Sequence, residues 1–245
     1  FHPSHRGLAL GIAMSGPGFG IILSGFVVPK LAPVFGLLSW QTGWLIFAVI
    51  NIVVAAVTVA LIRNKPSDIG LVPFGRAPDL SLTSTEVPKE DKFKLLAHLG
   101  LIFVVYGATY MVYVTFVVTS MVESYHLSEA AAGELWAWFG FLSIFSGIVF
   151  GWVSDRVGRR IGLALAFTAL SIAYFLVGLS DSESGLTFSI ILFGLAAWSV
   201  PVIMGASAGD YFGPAAAANA LAALTLAFSG GQAIGPVVAG LAAEA

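Results

Sequence analysis

The chain has no cysteine and very little charge: only 10% of its 245 residues are Asp, Glu, Lys or Arg, against about 25% in ordinary soluble domains. The first absence excludes a disulfide framework and thiolate metal sites, and leaves the redox compartment open. The second excludes a soluble domain, because a chain that is 58% hydrophobic lacks the polar surface to cover itself. There is no run of strands of about 10 residues with alternating polarity, so a membrane barrel is excluded too. The opening residues, from Phe1, carry no basic segment followed by a short apolar core and a small-residue cleavage site, so no signal peptide is expected, and the chain is expected to begin within a longer protein.

Recognisable reaction chemistry is also lacking. The four histidines, His2, His5, His98 and His126, stand at no metal-ligand spacing, and the Ser, His and Asp residues form no nucleophile motif. Glycine-rich runs lie inside apolar segments, where they let backbones approach, and not between a strand and a helix, where they would cradle phosphate. No catalytic residue, metal, cofactor or nucleic-acid partner is expected; the net charge of −2 says nothing in itself about nucleic acid or acidic partners.

What the sequence does have is apolar blocks, at about 8–30, 43–62, 95–121, 131–153, 161–180, 186–207 and 217–242. Blocks of about twenty residues match a hydrocarbon layer of about 30 Å. In lipid every backbone polar group must be satisfied internally, which leaves helices. The expected class is an all-α polytopic membrane protein with seven spans, and its first partner is the bilayer.

The eleven Lys and Arg residues are distributed unevenly. Arg6 precedes the first block; Arg63, Lys65, Arg76, Lys89, Lys92 and Lys94 lie between the second and third; Arg156, Arg159 and Arg160 lie between the fourth and fifth. Only Lys30 falls in an opposite connection, alongside Glu123, Glu129, Asp181 and Glu183. The positive-inside rule therefore puts residues 1–6 and 63–94 in the cytoplasm and residues 180–184 outside. The long polar stretch reads as an exposed linker, rich in Pro, Gly, Ser and Thr, and gives a division into 1–62, a linker 63–94, and 95–245.

The first and last blocks resemble each other. Gly16, Gly20 and Gly25 in SGPGFGIILSG have the spacing of Gly231, Gly235 and Gly240 in GGQAIGPVVAG, and Pro17 and Pro236 accompany them. Both blocks run outward, as a parallel repeat of six helices would require, and small residues at such spacing suit helix packing.

At the end of the fourth block stands Gly151-Trp152-Val153-Ser154-Asp155-Arg156-Val157-Gly158-Arg159-Arg160. Gly151 permits close helix approach, Gly158 a tight turn, and Asp155 can pair with a basic residue or face a helix N-terminus. A bare positive anchor would explain the arginines but not Asp155 between two glycines. The decapeptide resembles the signature cytoplasmic loop of the major facilitator superfamily, G-x-x-x-D-R-x-G-R-R, at every fixed position. SGPGFG around Pro17 resembles that family's Gly-Pro motif of the fifth helix, and several segments are similar to a bacterial subgroup. The resemblance implies two pseudosymmetric six-helix bundles around a central cavity, of which this chain holds the fifth to eleventh helices. It also implies alternating access, a monomer, a small-molecule substrate with a proton or cation as candidate coupling partner, and the plasma (inner) membrane.

Inside the blocks, polar residues at helical spacing mark candidate cavity faces. Tyr106, Tyr110 and Tyr113, with Thr109 and Ser120, form one stripe in the third block; Thr225, Ser229 and Gln232 form another in the seventh. Glu134 and Asp210, each near a block end, are the candidate coupling carboxylates, with solvated interfacial positions as the alternative. Asn51 reads as packing. Two rival functions stay open: a transporter-fold sensor or structural protein, and a membrane-embedded enzyme, for which the required polar cluster is not present.

Overall fold

The computed structural model describes residues 6–31, 38–62, 70, 89–213 and 216–243. Among these there are helices and no strand: α1 (Arg6–Ala13), α2 (Gly16–Val27) with a 3-10 turn at Val28–Lys30, α3 (Ser39–Leu61), α4 (Lys89–Glu123), α5 (Glu129–Val157), α6 (Arg159–Leu179), α7 (Glu183–Ala196), α8 (Ser199–Phe212) and α9 (Ala217–Ala243). They assemble into seven spans long and apolar enough to cross a membrane, as the apolar blocks predict. The linker 63–94 lies outside the described residues except for Gly70 and its last six positions, which already belong to α4.

Two spans are broken, and proline explains both. A proline ring clashes with the carbonyl four residues earlier and offers no N–H. Pro17 stands four residues after Ala13, where α1 stops, and Pro201 stands four residues after Ala197, where the chain bends between α7 and α8. The second break frees polar backbone at membrane depth, and side chains satisfy it. The Tyr106 hydroxyl donates to the Ala197 carbonyl, and the Ser146 hydroxyl accepts from the Trp198 N–H at 3.0 Å. At the other helix starts the local chemistry is ordinary capping: Ser128 accepts from Ala131 N–H at 3.2 Å, and Ser182 from Gly185 N–H at 3.1 Å, each followed by a glutamate in the first turn.

α5 is the central helix, touching α1, α2, α4, α6, α7 and α8. Its seam with the first span is made of glycines. Gly7 faces Gly151, Gly11 faces Gly147, Gly18 faces Gly140 and Gly25 faces Gly133; the numbers rise on one helix as they fall on the other, so the two run antiparallel. A Cβ added at Gly18 would stand 2.7 Å from the Gly140 carbonyl oxygen, and one at Gly25 2.6 Å from that of Gly133. Backbone thus lies directly on backbone.

This seam corrects the packing motif expected from sequence. A Cβ at Gly16, Gly20 or Gly240 would meet nothing within 4 Å, whereas Gly25, Gly231 and Gly235 are packed, the last two against Val104 and Ala108 of α4. The reason is helical phase. Each residue turns the helix by about 100°, so Gly16 and Gly18 look in nearly opposite directions, and the row that faces α5 is Gly7, Gly11, Gly18 and Gly25. The glycines paired in the apparent repeat are accordingly used differently at the two ends of the chain.

α4 packs along α9, and α6 closes the bundle against α7 and α8. α3 stands apart: beyond its first turn its large apolar side chains are exposed, Trp44, Ile52, Val59 and Leu61 among them. Its Asn51 amide donates to its own helix at the Phe47 carbonyl, 2.8 Å away, so it makes no packing hydrogen bond to another helix here.

Candidate functional site

The strongest polar cluster lies at the end of the bundle where α5 turns into α6. A single non-helical residue, Gly158, makes this turn with φ +90°, a backbone region that side chains disfavour. The tight reversal sets Arg159 beside Asp155, Nη1 to Oδ1 2.5 Å, while Arg159 Nε reaches Asp210 Oδ2 at 2.8 Å from the last turn of α8. Ser154 holds the guanidinium from a third side, accepting from Nη1 at 2.8 Å.

Asp155 also reaches across to the first span. Its two oxygens accept from the Gly7 and Leu8 N–H groups, each at 3.1 Å. These belong to the first turn of α1, whose amides have no partner within their own helix and carry the positive end of the helix dipole. The carboxylate therefore caps, across 148 residues of sequence, a helix that has no acidic residue in its own first turn. The side chains of Asp155 and Arg159 are only 5% and 9% exposed, and that of Asp210 is 27% exposed. A Cβ on Gly7 would fall 2.8 Å from Asp155 Oδ1, so the approach requires glycine there. We call the arrangement of α1, Asp155, Arg159 and Asp210 the clasp.

The decapeptide is thus divided in use. Gly151, Asp155, Gly158 and Arg159 build the clasp or its approach. Arg156 turns away, its guanidinium 3.8 Å over the Trp152 ring, and Arg160 is exposed. Asp210, marked as a coupling candidate, is joined to the motif by Arg159. Glu134 is exposed at the opposite end of α5, with no ion pair among the described residues. Sequence reading missed Gly7, Leu8 and Ser154; the one available signal was the row Gly7, Gly11, Gly18, Gly25, whose period points at a single helix face.

The tyrosine stripe needs correction. Tyr106, Tyr110 and Tyr113 are 0%, 6% and 7% exposed and form the bundle core, not a wet wall. Tyr106 is stacked with Phe228 and Phe103, and Tyr113 lies 3.8 Å, centroid to centroid, from Phe193. The Tyr113 hydroxyl lies 2.9 Å from Ser189 Oγ, which donates to the Ala173 carbonyl at 2.7 Å. The stripe is turned toward α7 and α8, where Tyr106 donates to the broken backbone at Ala197 and Tyr110 and Tyr113 pack on Phe193. Of the three, Tyr113, with Thr109 and Ser120 beside it, borders a cavity of about 640 Å³ between α4, α6 and α9 with a largely apolar wall.

The second stripe stays open. Thr225 and Ser229 are exposed on α9 and donate to their own helix, at the Leu221 and Thr225 carbonyls, 2.8 and 2.9 Å away. Gln232, partly buried, directs its amide to Met111 Sδ at 3.9 Å. Among the described residues no group of three or more His, Asp or Glu could hold a metal ion.

Seven apolar spans threaded by a buried hydroxyl network, with a charge cluster at one end, define a multi-pass α-helical membrane protein. The chain belongs to the family described as "Uncharacterised MFS-type transporter YbfB", which matches residues 2–245. It is similar to the MFS-type transporter pynF of Aspergillus niger, 24% identical over 207 residues that cover 84% of this chain and 44% of that relative. The chain thus spans less than half the length of that relative. No solved structure matches it.

Proposed function

We propose that the chain is part of a secondary transporter that moves a small solute by alternating access. In this reading residues 1–62 belong to one bundle, 95–245 to another, and 63–94 link them on the cytoplasmic side of the plasma membrane. The observation that carries it is the clasp. Asp155 ties the head of the first span, in one bundle, to the α5–α6 turn of the other through two amides and one guanidinium. Every one of these contacts ends on a single carboxylate at the edge of the membrane, where water can replace it when the bundles part. Across the glycine seam the contacts are close backbone approaches with small numbers of side chains, Ile21, Pro29 and Ile144 among them, and one side-chain hydrogen bond, Trp136 to Ser24.

Within this proposal Thr225, Ser229 and Gln232 face the solute path, and Glu134 is the remaining candidate for coupling to a proton or cation. Asp210 acts with Arg159 in the clasp. Asp155→Asn tests the assignment: it keeps the shape, removes the charge and weakens both the amide contacts and the ion pair. A contact made in only one end state and worth about 1–3 kcal/mol shifts an evenly poised equilibrium by roughly fivefold to more than a hundredfold. Spin labels on the two bundles of the full-length protein should report a shifted distance distribution, with solute flux into proteoliposomes reduced. Reduced flux with an unchanged distribution in folded protein would reject the clasp as a conformational device.

A further inference from the structure

One part of the signature decapeptide is unused by the clasp. Arg159 is matched by two carboxylates, whereas Arg156 and Arg160 are exposed and have no carboxylate partner among the described residues. Arg156 is instead laid on Trp152, its guanidinium 3.8 Å from the ring centroid, and Trp152 is itself 44% exposed.

The direction of Arg156 is informative. Helical side chains lean toward the N-terminus of their helix, and α5 runs from the opposite end toward the turn at Gly158. Stacking on Trp152, one turn back, therefore draws the charge toward the bilayer instead of releasing it into water. An arginine that served only as a positive anchor would extend outward, as long basic side chains at helix ends do. Here the exposed guanidinium is held over the Trp152 ring, and indoles at span ends settle among headgroups.

The same face of α5 continues inward as an exposed apolar stripe: Phe141, Phe145, Val149 and then Trp152, at spacings of four, four and three. It lies on the far side of the helix from the glycine seam. From Phe141 to Arg156 is fifteen residues, about 22 Å at 1.5 Å each, which matches one leaflet of a bilayer about 40–45 Å thick with its headgroups. We propose that this face binds one anionic phospholipid, with an acyl chain along Phe141, Phe145 and Val149 and the headgroup phosphate on Arg156, supported by Arg160 just past the turn. Guanidinium groups suit a phosphodiester because they offer paired donors in one plane. The site does not depend on transport, since it rests on α5, the first turn of α6 and the bilayer.

The test uses the full-length protein released from nanodiscs into native mass spectrometry, with dioleoyl-phosphatidylglycerol and dioleoyl-phosphatidylcholine as competing probes. The wild type should retain phosphatidylglycerol in preference, and excess inorganic phosphate should not displace it. Arg156→Gln with Arg160→Gln should cut that preference about twenty-five- to thirtyfold, each arginine near an anionic surface being worth about 1 kcal/mol, or about fivefold. Lys94→Gln, which removes a charge elsewhere, should leave it unchanged. Trp152→Leu keeps every charge and should still lower it, by about two- to fivefold, as loss of a cation–π contact of about 0.5–1 kcal/mol requires; it stands in if the double variant does not fold. Equal retention of the two lipids by the wild type, an undiminished preference in Trp152→Leu, or displacement by inorganic phosphate would each overturn the proposal.

Discussion

The clasp and the tyrosine core both bring polar side chains together between helices, and they do it under opposite conditions. In the core, hydroxyls of Tyr106 and Tyr113 meet a carbonyl and a serine, and both rings are almost fully buried. In the clasp, charges of both signs meet at the edge of the spans, with Asp210 still about a quarter exposed. A buried hydroxyl has no alternative partner, so it specifies one packing and resists change. Asp210, about a quarter exposed, has solvent as a ready substitute, whereas Asp155, 5% exposed, exchanges its contacts for water only once the helices around it separate. The same lesson separates the two helix breaks. The α7–α8 break is tied down by Tyr106 and Ser146, whereas at Met14–Ser15 the hydroxyl of Ser15 bonds within its own turn, to the Ile12 carbonyl at 2.8 Å.

If that contrast is right, the largest loss of stability should come from the core. Tyr106→Ala removes a fully buried ring and the donor to Ala197, and should cost about 3–5 kcal/mol, read as a collapse of monodisperse yield and of the thermal midpoint. Asp155→Ala should change the folded yield far less while cutting transport at least fivefold; a yield loss equal to that of Tyr106→Ala would erase the distinction. Next in size is the seam, where Gly11→Ala pushes a Cβ into the Gly147 backbone and should cost about 1–3 kcal/mol by overpacking. Tyr113→Phe should cost about 1 kcal/mol in thermal stability, the net value of one hydrogen bond, with transport retained because the hydroxyl is taken up by Ser189. Smallest of all, Gly16→Ala meets no neighbour within 4 Å and should be neutral or slightly stabilising in a melting experiment, since alanine is the better helix former. A large effect there would show that an unseen partner covers that face.

Both the legible and the hidden parts of the site follow from how far each signal reaches along the chain. Asp155, Gly158 and Arg159 were readable because they lie within five residues and their chemistry is local: a turn, a charge pair, a carboxylate in search of donors. Arg159 with Asp210, and Asp155 with the head of α1, are separated by 51 and 148 residues, and no pattern in a single sequence links them. The tyrosines were readable as one face of α4, which is what spacing reports, but spacing carries no information on what stands opposite. The face was assigned to water when its partners are Ala197, Ser189 and the rings around Phe193.

Composition and hydropathy by themselves determined that the chain is helical, crosses a membrane and has seven spans, because lipid leaves a backbone no other way to satisfy its hydrogen bonds. Proline clashes with the fourth preceding carbonyl, and two of the spans break at Pro17 and Pro201, but α9 continues through Pro236, so which prolines break a span was decided by the surrounding structure. Only the tertiary structure decided which glycines form the seam, which polar stripe is buried, and which helix end Asp155 caps. Those are choices of rotational phase and of neighbour, set by many weak contacts acting together, and apolar sequences in a bilayer constrain them little because one apolar face looks much like another to lipid.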